Sequence, residues 1–418
     1  MSTKTKTWGA GLLQPDVALG DRVTKYDAVF TWTCHHLTGS EILPMALKAD
    51  PLADAAIPFL RGRDFKDVAL GDDCPRQVQS LLDQTIKVPE WVDLDQIRRG
   101  QDFYWETFHS CGQVMMNHSL ISDFAVSSIV RVLTCTGYLA NPKSAYRRGA
   151  ETAYMVSRAM ERGQLVPWGR GWSAVVAVRL MHAQARIHAA RISKRTNKPL
   201  LGLAISQQDL MFTLLLFSVT VILGYDKLGI KYTLQQRDDY IATFRYIGYL
   251  IGVDDPRCLL GDFTTALALK QSLDMYLIQP NKESAHMARV VIEGFENNPP
   301  YFLSFRHHAQ LSRLLMGESL ANEMQLPYPN TGLDMFLQLY ILYHNSTLNL
   351  MLWFRREWAL SFLERKVLNS FQALFRGTPT FQFRPLEKDG DYSVALDKRS
   401  HFPLLLVVLA FVAILLIK

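Results

Sequence analysis

Gly171-Trp-Ser-Ala-Val-Val-Ala-Val-Arg-Leu-Met-His182-Ala-Gln-Ala-Arg186 carries one histidine in the middle of a run with helical spacing. Val175, Val178, Ala185 and Ala189 stand at i−7, i−4, i+3 and i+7 from His182, so its face of the helix is small and apolar. Small neighbours leave room beside an imidazole for something flat and large. Arg179 and Arg186 lie within about a turn of His182 and are candidates to meet anionic groups. A core histidine bonded to a backbone carbonyl fits the same pattern. The stretch therefore predicts a buried helix and leaves the task of its histidine open.

Helical signals continue in both directions. Upstream, Asn141-Pro142 supplies an N-cap followed by proline at the first helical position, and the helix runs Lys143 to Arg162 before Gly163 stops it. Arg148 and Thr152 are i and i+4 on it and share a face. Downstream, Ser206-Gln-Gln-Asp209 opens a run, Leu210 to Leu223, that is apolar nearly all round. That run is too short to span a bilayer and too apolar for a surface, which predicts a central core helix.

Further helical stretches are Thr24 to Leu37, Glu41 to Ala49, Leu52 to Gly62, Arg76 to Thr85 and Asp93 to about Cys111. Beyond the core run come Gln235 to Ile251, Phe263 to Leu277, Glu283 to Asn297, Phe302 to Gly317 and Leu333 to Leu368. No run alternates polar and apolar residues long enough for a sheet, and no repeat of fixed period is present. The expected fold is all-α: one large helical domain over residues 26–376, after a polar N-terminal arm at 1–25. No Gly/Ser- or Pro-rich linker divides the chain before residue 376, so its 418 residues are read as one domain.

Residues 402–417, Phe402 to Ile417, are uncharged and apolar, and Lys398, Arg399 and His401 flank them. As a helix this run would be roughly 24 Å long at about 1.5 Å per residue, close to what a thin bilayer requires. With the polar tether at 377–401 before it, the run predicts a transmembrane tail anchor. The positive-inside rule then keeps the preceding chain in the cytosol, at the endoplasmic reticulum or a similar membrane. No signal peptide is visible in Met1 to Trp8.

The net charge of +6 is spread along the chain, which speaks against nucleic acid as a partner. Cys34, Cys74, Cys111, Cys135 and Cys258 are odd in number and irregularly spaced, with no C-x-x-C. That pattern argues against a disulfide framework, a zinc site and covalent haem attachment, and suggests reduced thiols.

The chain lacks a dinucleotide-binding G-x-G-x-x-G, a P-loop, a G-x-S-x-G and an H-E-x-x-H. Two cofactor readings remain. Glu106/His109 and Glu283/His286 are E-x-x-H pairs on expected helices, as a di-iron carboxylate oxidase would need, with Glu151 as one further carboxylate. Alternatively His182 holds a b-type haem, for which one histidine on a helix suffices.

Arg148-x-x-x-Thr152 followed by Arg179-Leu-Met-His182-Ala-x-x-Arg186 resembles the latex-clearing protein, or rubber oxygenase, family. That family includes fungal endoplasmic-reticulum oxygenases that cleave a farnesyl chain in mycophenolic acid biosynthesis. Ile205-Ser-Gln-Gln-Asp209 and Tyr246-Ile-Gly-Tyr-Leu-Ile-Gly252-Val are similar to it as well, and the likeness spans roughly residues 95 to 365.

The resemblance implies a globin-like helical core with non-covalent haem b. His182 would be the iron ligand; Arg179 and Arg186 are, by their spacing from it, the basic residues available to bind the cofactor's propionates. Arg148, Glu151 and Thr152 would lie in the active-site network. It further implies oxidative cleavage of a carbon–carbon double bond by dioxygen in a hydrophobic or lipid substrate, both oxygen atoms ending in carbonyl groups. One position departs from the pattern: rubber-cleaving members carry a lysine just before the threonine, where this chain has Glu151. A carboxylate cannot act as that amine does; it can serve as a base, pair with Arg147 or Arg148, or face water. A haem- or lipid-binding protein without turnover is the corresponding non-enzymatic reading.

Overall fold

The computed structural model describes residues 17–374 except 61, 138, 140, 198–199, 201, 255–260 and 329–330. In the last helix it describes the backbone alone at 331–349, 351 and 354. Most of the expected arm (1–16), the tether (377–401), the tail anchor (402–417) and Cys258 lie outside the described residues. Within them the protein is helical, with one two-stranded hairpin.

That hairpin replaces the helix expected over Thr24 to Leu37. β1 (Arg22–Lys25) pairs antiparallel with β2 (Ala28–Thr31), Val23 opposite Phe30. Val23, Thr24, Val29, Phe30 and Thr31 are β-branched or aromatic, and Tyr26-Asp27 makes the turn, with Tyr26 at a φ of 52°. Tertiary contacts hold it in place: Val23 and Trp32 pack with Met275, and the Tyr26 hydroxyl donates to Glu323 Oε2 at 2.9 Å.

The helices in order are α1 (Gly39–Ala46), α2 (Pro51–Leu60), α3 (Phe65–Ala69), α4 (Arg76–Ile86), α5 (Leu94–Glu106) and α6 (Phe108–Val114). A π-helix, Met115–Leu120, follows α6 and leads into α7 (Ile121–Asp123). Then come α8 (Ser127–Thr136), α9 (Pro142–Ala159), α10 (Arg170–Thr196), α11 (Gln207–Phe217), α12 (Val219–Leu228) and α13 (Leu234–Leu250). The chain continues through α14 (Phe263–Leu277), α15 (Lys282–Phe295), α16 (Phe305–Met316), α17 (Glu318–Glu323) and α18 (Thr331–Leu374).

Capping explains most of the helix starts. Asn141, Ser206, Thr233 and Asn281 each accept from the N3 amide in reciprocal capping boxes. Two long helices break where a side chain competes for the backbone. Thr107, between α5 and α6, bonds the Phe103 carbonyl at 2.7 Å and takes a bond from the Tyr225 hydroxyl. Ser218 divides the apolar run into α11 and α12 and bonds the Leu214 carbonyl at 2.8 Å. The most apolar window of Gln207–Leu228 has a mean hydropathy of 1.6, yet 83% of it is buried inside the fold. The segment is longer than the run Leu210 to Leu223 read from the sequence, and by length and composition alone would pass for a span; its burial makes it a core element, the place expected for that run.

α10, at 27 residues, is the helix that carries His182. It packs against α2, α8, α9 and α13. α5 and α13 form another close pair: a β-carbon at Gly100 would run into the Asp239 carbonyl and the Thr243 hydroxyl, so glycine there sets the distance between the two helices.

Candidate active site around His182

His182 lies mid-way along α10. The side chain retains accessible surface, although burial is the main influence on its ring and pushes its pKa down to about 4. The Arg186 cation pushes it down further, and Asp50 partly offsets both. Accessible surface at such depth places the ring at a recess of the fold. Nδ1 is buried and has no hydrogen-bond partner, which leaves Nε2 as the ring nitrogen with access to that recess. A neutral imidazole with an open nitrogen is a competent metal ligand. A core histidine of the ordinary kind would bond a carbonyl, and this one does not. In this respect His182 fits a haem iron.

Arg179 and Arg186 are held differently from the expectation that they meet acidic cofactor groups. Arg179 forms a two-point pair with Asp50, Nε to Oδ2 at 2.6 Å and Nη2 to Oδ1 at 3.0 Å; both side chains are 3% exposed. Nη1 donates to Gln84 and to the Leu250 carbonyl. Arg186 grips Asp54 at 2.9–3.2 Å and donates to the Ile205 carbonyl at 2.6 Å. Both guanidinium groups are thus matched by carboxylates at the start of α2. Together they pin the His182 helix to α2 from either side of the histidine. Sequence reading missed Asp50 and Asp54. Asp50-Pro51 announces a helix start, and nothing local points to a partner on a helix more than a hundred residues away.

α9 lies beside α10 and carries the other expected residues. Glu151 is buried and bonded by Arg147 Nε at 3.0 Å and by Arg148 Nη1 at 2.8 Å, one turn back on its own helix. Of the roles open to a carboxylate at this position, ion pairing is the one the geometry realises. The Thr152 hydroxyl donates to the Arg148 carbonyl at 3.1 Å while the residue stays exposed.

The two E-x-x-H pairs are not assembled. Glu106 ends α5 and His109 sits on α6, beyond the break at Thr107. Glu106 is bonded by Arg356 and Gln236. Glu283 and His286 lie on the exposed face of α15. Among the described residues no group of three or more His, Cys, Asp and Glu is placed to hold a metal ion. The di-iron reading is therefore corrected on geometric grounds: its carboxylates and histidines point to different partners.

Cys34, Cys74, Cys111 and Cys135 are free thiols, as the irregular spacing suggests, and burial raises the Cys111 thiol to about 11.

A family model described as "ER-bound oxygenase mpaB/B'/Rubber oxygenase, catalytic domain" matches residues 126–343, which include α8 to α10 with Arg148, Glu151, Thr152 and His182. No curated protein matches the chain in a sequence search. Among solved structures, the fold is similar to one entitled "Structure of Latex Clearing Protein LCP in the closed state", with a TM-score of 0.58 and 19% identity. The match covers 78% of this chain and 89% of that one.

Proposed function

The chain belongs to the ER-bound oxygenase mpaB/B'/rubber oxygenase family, whose function is of the oxygenase type, and from that premise we propose that it is a haem b-dependent oxygenase. Its reaction would be cleavage of a carbon–carbon double bond of a prenyl or other unsaturated lipid-like substrate with dioxygen. The observation that carries the proposal is His182: a neutral imidazole deep in the fold, on accessible surface, with Nδ1 unbonded. Bound haem would supply the activation of dioxygen.

The chain's own residues do the rest. His182 would hold the haem iron through Nε2. Arg179 and Arg186, locked to Asp50 and Asp54, keep α10 from shifting, so the ligand is held by a rigid element. Arg147 and Arg148 share Glu151 beside Thr152, so the carboxylate is not left as an unpaired charge. The apolar α11 excludes water and suits a hydrocarbon chain.

The Glu151 pairing also supports a second reading, a haem- or lipid-binding protein without turnover, because a carboxylate tied to two arginines is a poor base. Turnover under 18O2 with a panel of prenyl and unsaturated acyl lipids separates the two. Oxygen uptake with carbonyl products, each carrying one labelled oxygen atom, is the expected result. A haem protein that takes up no oxygen across the panel is the binding protein instead.

We further propose that residues 402–417 anchor the protein to the endoplasmic reticulum membrane, with residues 1–400 in the cytosol. Deleting 402–417 is expected to move the protein from the membrane fraction to the soluble fraction, and a deletion variant still recovered with membranes would refute the anchor.

A further inference from the structure

α7 holds a carboxyl group that the reading above leaves without a task. Asp123 sits among Ile121, Phe124, Ala125 and Val126, all buried. Its Oδ1 accepts from the Thr213 hydroxyl of α11 at 3.1 Å, and Oδ2 has no partner among the described residues. Asp123 shares with His182 an uncommon combination: accessible surface at a depth where burial dominates its acid–base behaviour. It too lies at a recess of the fold.

A line of polar groups joins the two residues. Thr213, which holds Asp123, is one turn from Asp209 on α11. Asp209 is bonded by Ser128 of α8 at 3.0 Å and feels the charge of Arg186. Arg186 donates to Ile205, just ahead of the Ser206 cap of α11, and stands one turn from His182. α7, α8, α10 and α11 are thus linked through these polar groups, and Asp123 and His182 both keep accessible surface among them.

We propose that Asp123 is a polar anchor of the cavity that contains His182, donating a hydrogen bond from Oδ2 to an oxygen atom of an otherwise apolar ligand. The ligand class is a long unsaturated chain with a hydroxyl or carbonyl head. This deepens the function proposed above and rests on it.

The chemistry follows from the surroundings. A carboxylate without a cation is costly in an apolar setting, so the neutral acid is the stable form. Burial raises its pKa to about 7, helped by the like charge of Asp209 and opposed by the Thr213 bond. The elements packed against α7 are α11 and the π-helix, whose titratable groups are Asp209 and His118; burial and the cations Lys270 and Lys227 hold His118 neutral. With Oδ1 taken by Thr213, the acid proton belongs on Oδ2. α11 offers few other polar groups there, since Leu210, Met211, Phe212, Leu214, Leu215 and Leu216 are its buried residues beyond the first turn.

The test compares two probes, farnesol and the hydrocarbon farnesene, delivered in cyclodextrin to the full-length haem-loaded protein in detergent, with bound and free probe separated at equilibrium. At pH 6 the wild type is expected to prefer farnesol about tenfold, the worth of one net hydrogen bond. Asp123→Leu brings the ratio to about one and keeps farnesene binding. Asp123→Asn, which still donates, keeps most of the preference. Raising the pH from 6 to 8.5 ionises Asp123, removes its proton and abolishes the wild-type preference, whereas Asp123→Asn is indifferent to pH.

Equal affinity of the wild type for both probes, no binding of either, or an undiminished preference in Asp123→Leu overturns the anchor. Should Asp123→Leu not fold, the pH series of Asp123→Asn decides: a pH dependence like that of the wild type overturns it. None of these outcomes touches haem binding through His182, which is read separately from the absorption spectrum.

Discussion

Replacing His182 by alanine is expected to abolish the Soret band of the purified protein while its helical content and unfolding midpoint stay close to those of the wild-type apoprotein. A b-type haem would be bonded to the protein only through coordination of its iron by the histidine, so losing that residue removes the iron–protein bond. The apoprotein has little to lose in exchange. The ring makes no hydrogen bond at Nδ1, and burying that atom unpaired is itself unfavourable. Removing it takes away a desolvation cost of about 1–3 kcal/mol that offsets the packing lost with the ring. A histidine whose work was structural behaves in the opposite way: its removal lowers stability and leaves the spectrum unchanged. Added imidazole is expected to restore part of the band by entering the space vacated by the side chain. Retention of a full Soret band in His182→Ala would sink the proposed ligand.

Asp50→Ala is expected to destabilise the protein by about 3–5 kcal/mol, read from its urea denaturation midpoint. The change leaves the Arg179 guanidinium buried without its carboxylate, held only by Gln84 and the Leu250 carbonyl. An uncompensated charge at this depth costs far more than the ion pair contributes while intact. The double variant Asp50→Ala with Arg179→Met is therefore expected to recover most of the loss, giving a large coupling energy in the cycle. Haem affinity should fall in the single variant, because the pair fixes α10 one turn from His182. A loss below about 1 kcal/mol in Asp50→Ala would show that α2 and α10 are held by other contacts, and that Arg179 is free to serve the cofactor after all.

Much of the fold is legible in local chemistry. The α9, α14 and α15 boundaries follow from Asn141-Pro142, Asp262 and Asn281, since a capping side chain acts within three residues of itself. The apolar α11–α12 run declares its own burial for the same reason: solvation is a property of composition. The hairpin at 22–31 is different. Its register is set by its own turn at Tyr26-Asp27, but its place against Met275 and Glu323 comes from partners roughly 250 to 300 residues away, which no local period announces. The π-helix is of the same kind, stabilised among buried groups such as Asn117, bonded to the Gln113 carbonyl at 3.0 Å.

The site divides along the same line. From the sequence alone come the histidine, its small neighbours, the arginines one turn away and the Arg–Glu–Thr pattern on the preceding helix, because helical spacing decides which residues share a face. Only the tertiary structure decides that Asp50 and Asp54 match Arg179 and Arg186, that Glu151 is neutralised by its own helix, and that His182 and Asp123 are deep yet accessible. The physical reason is range. Propensity, capping and periodicity act over a few residues, whereas charge pairing and desolvation depend on how distant segments are brought together, and those two effects set what each polar group in this site can do.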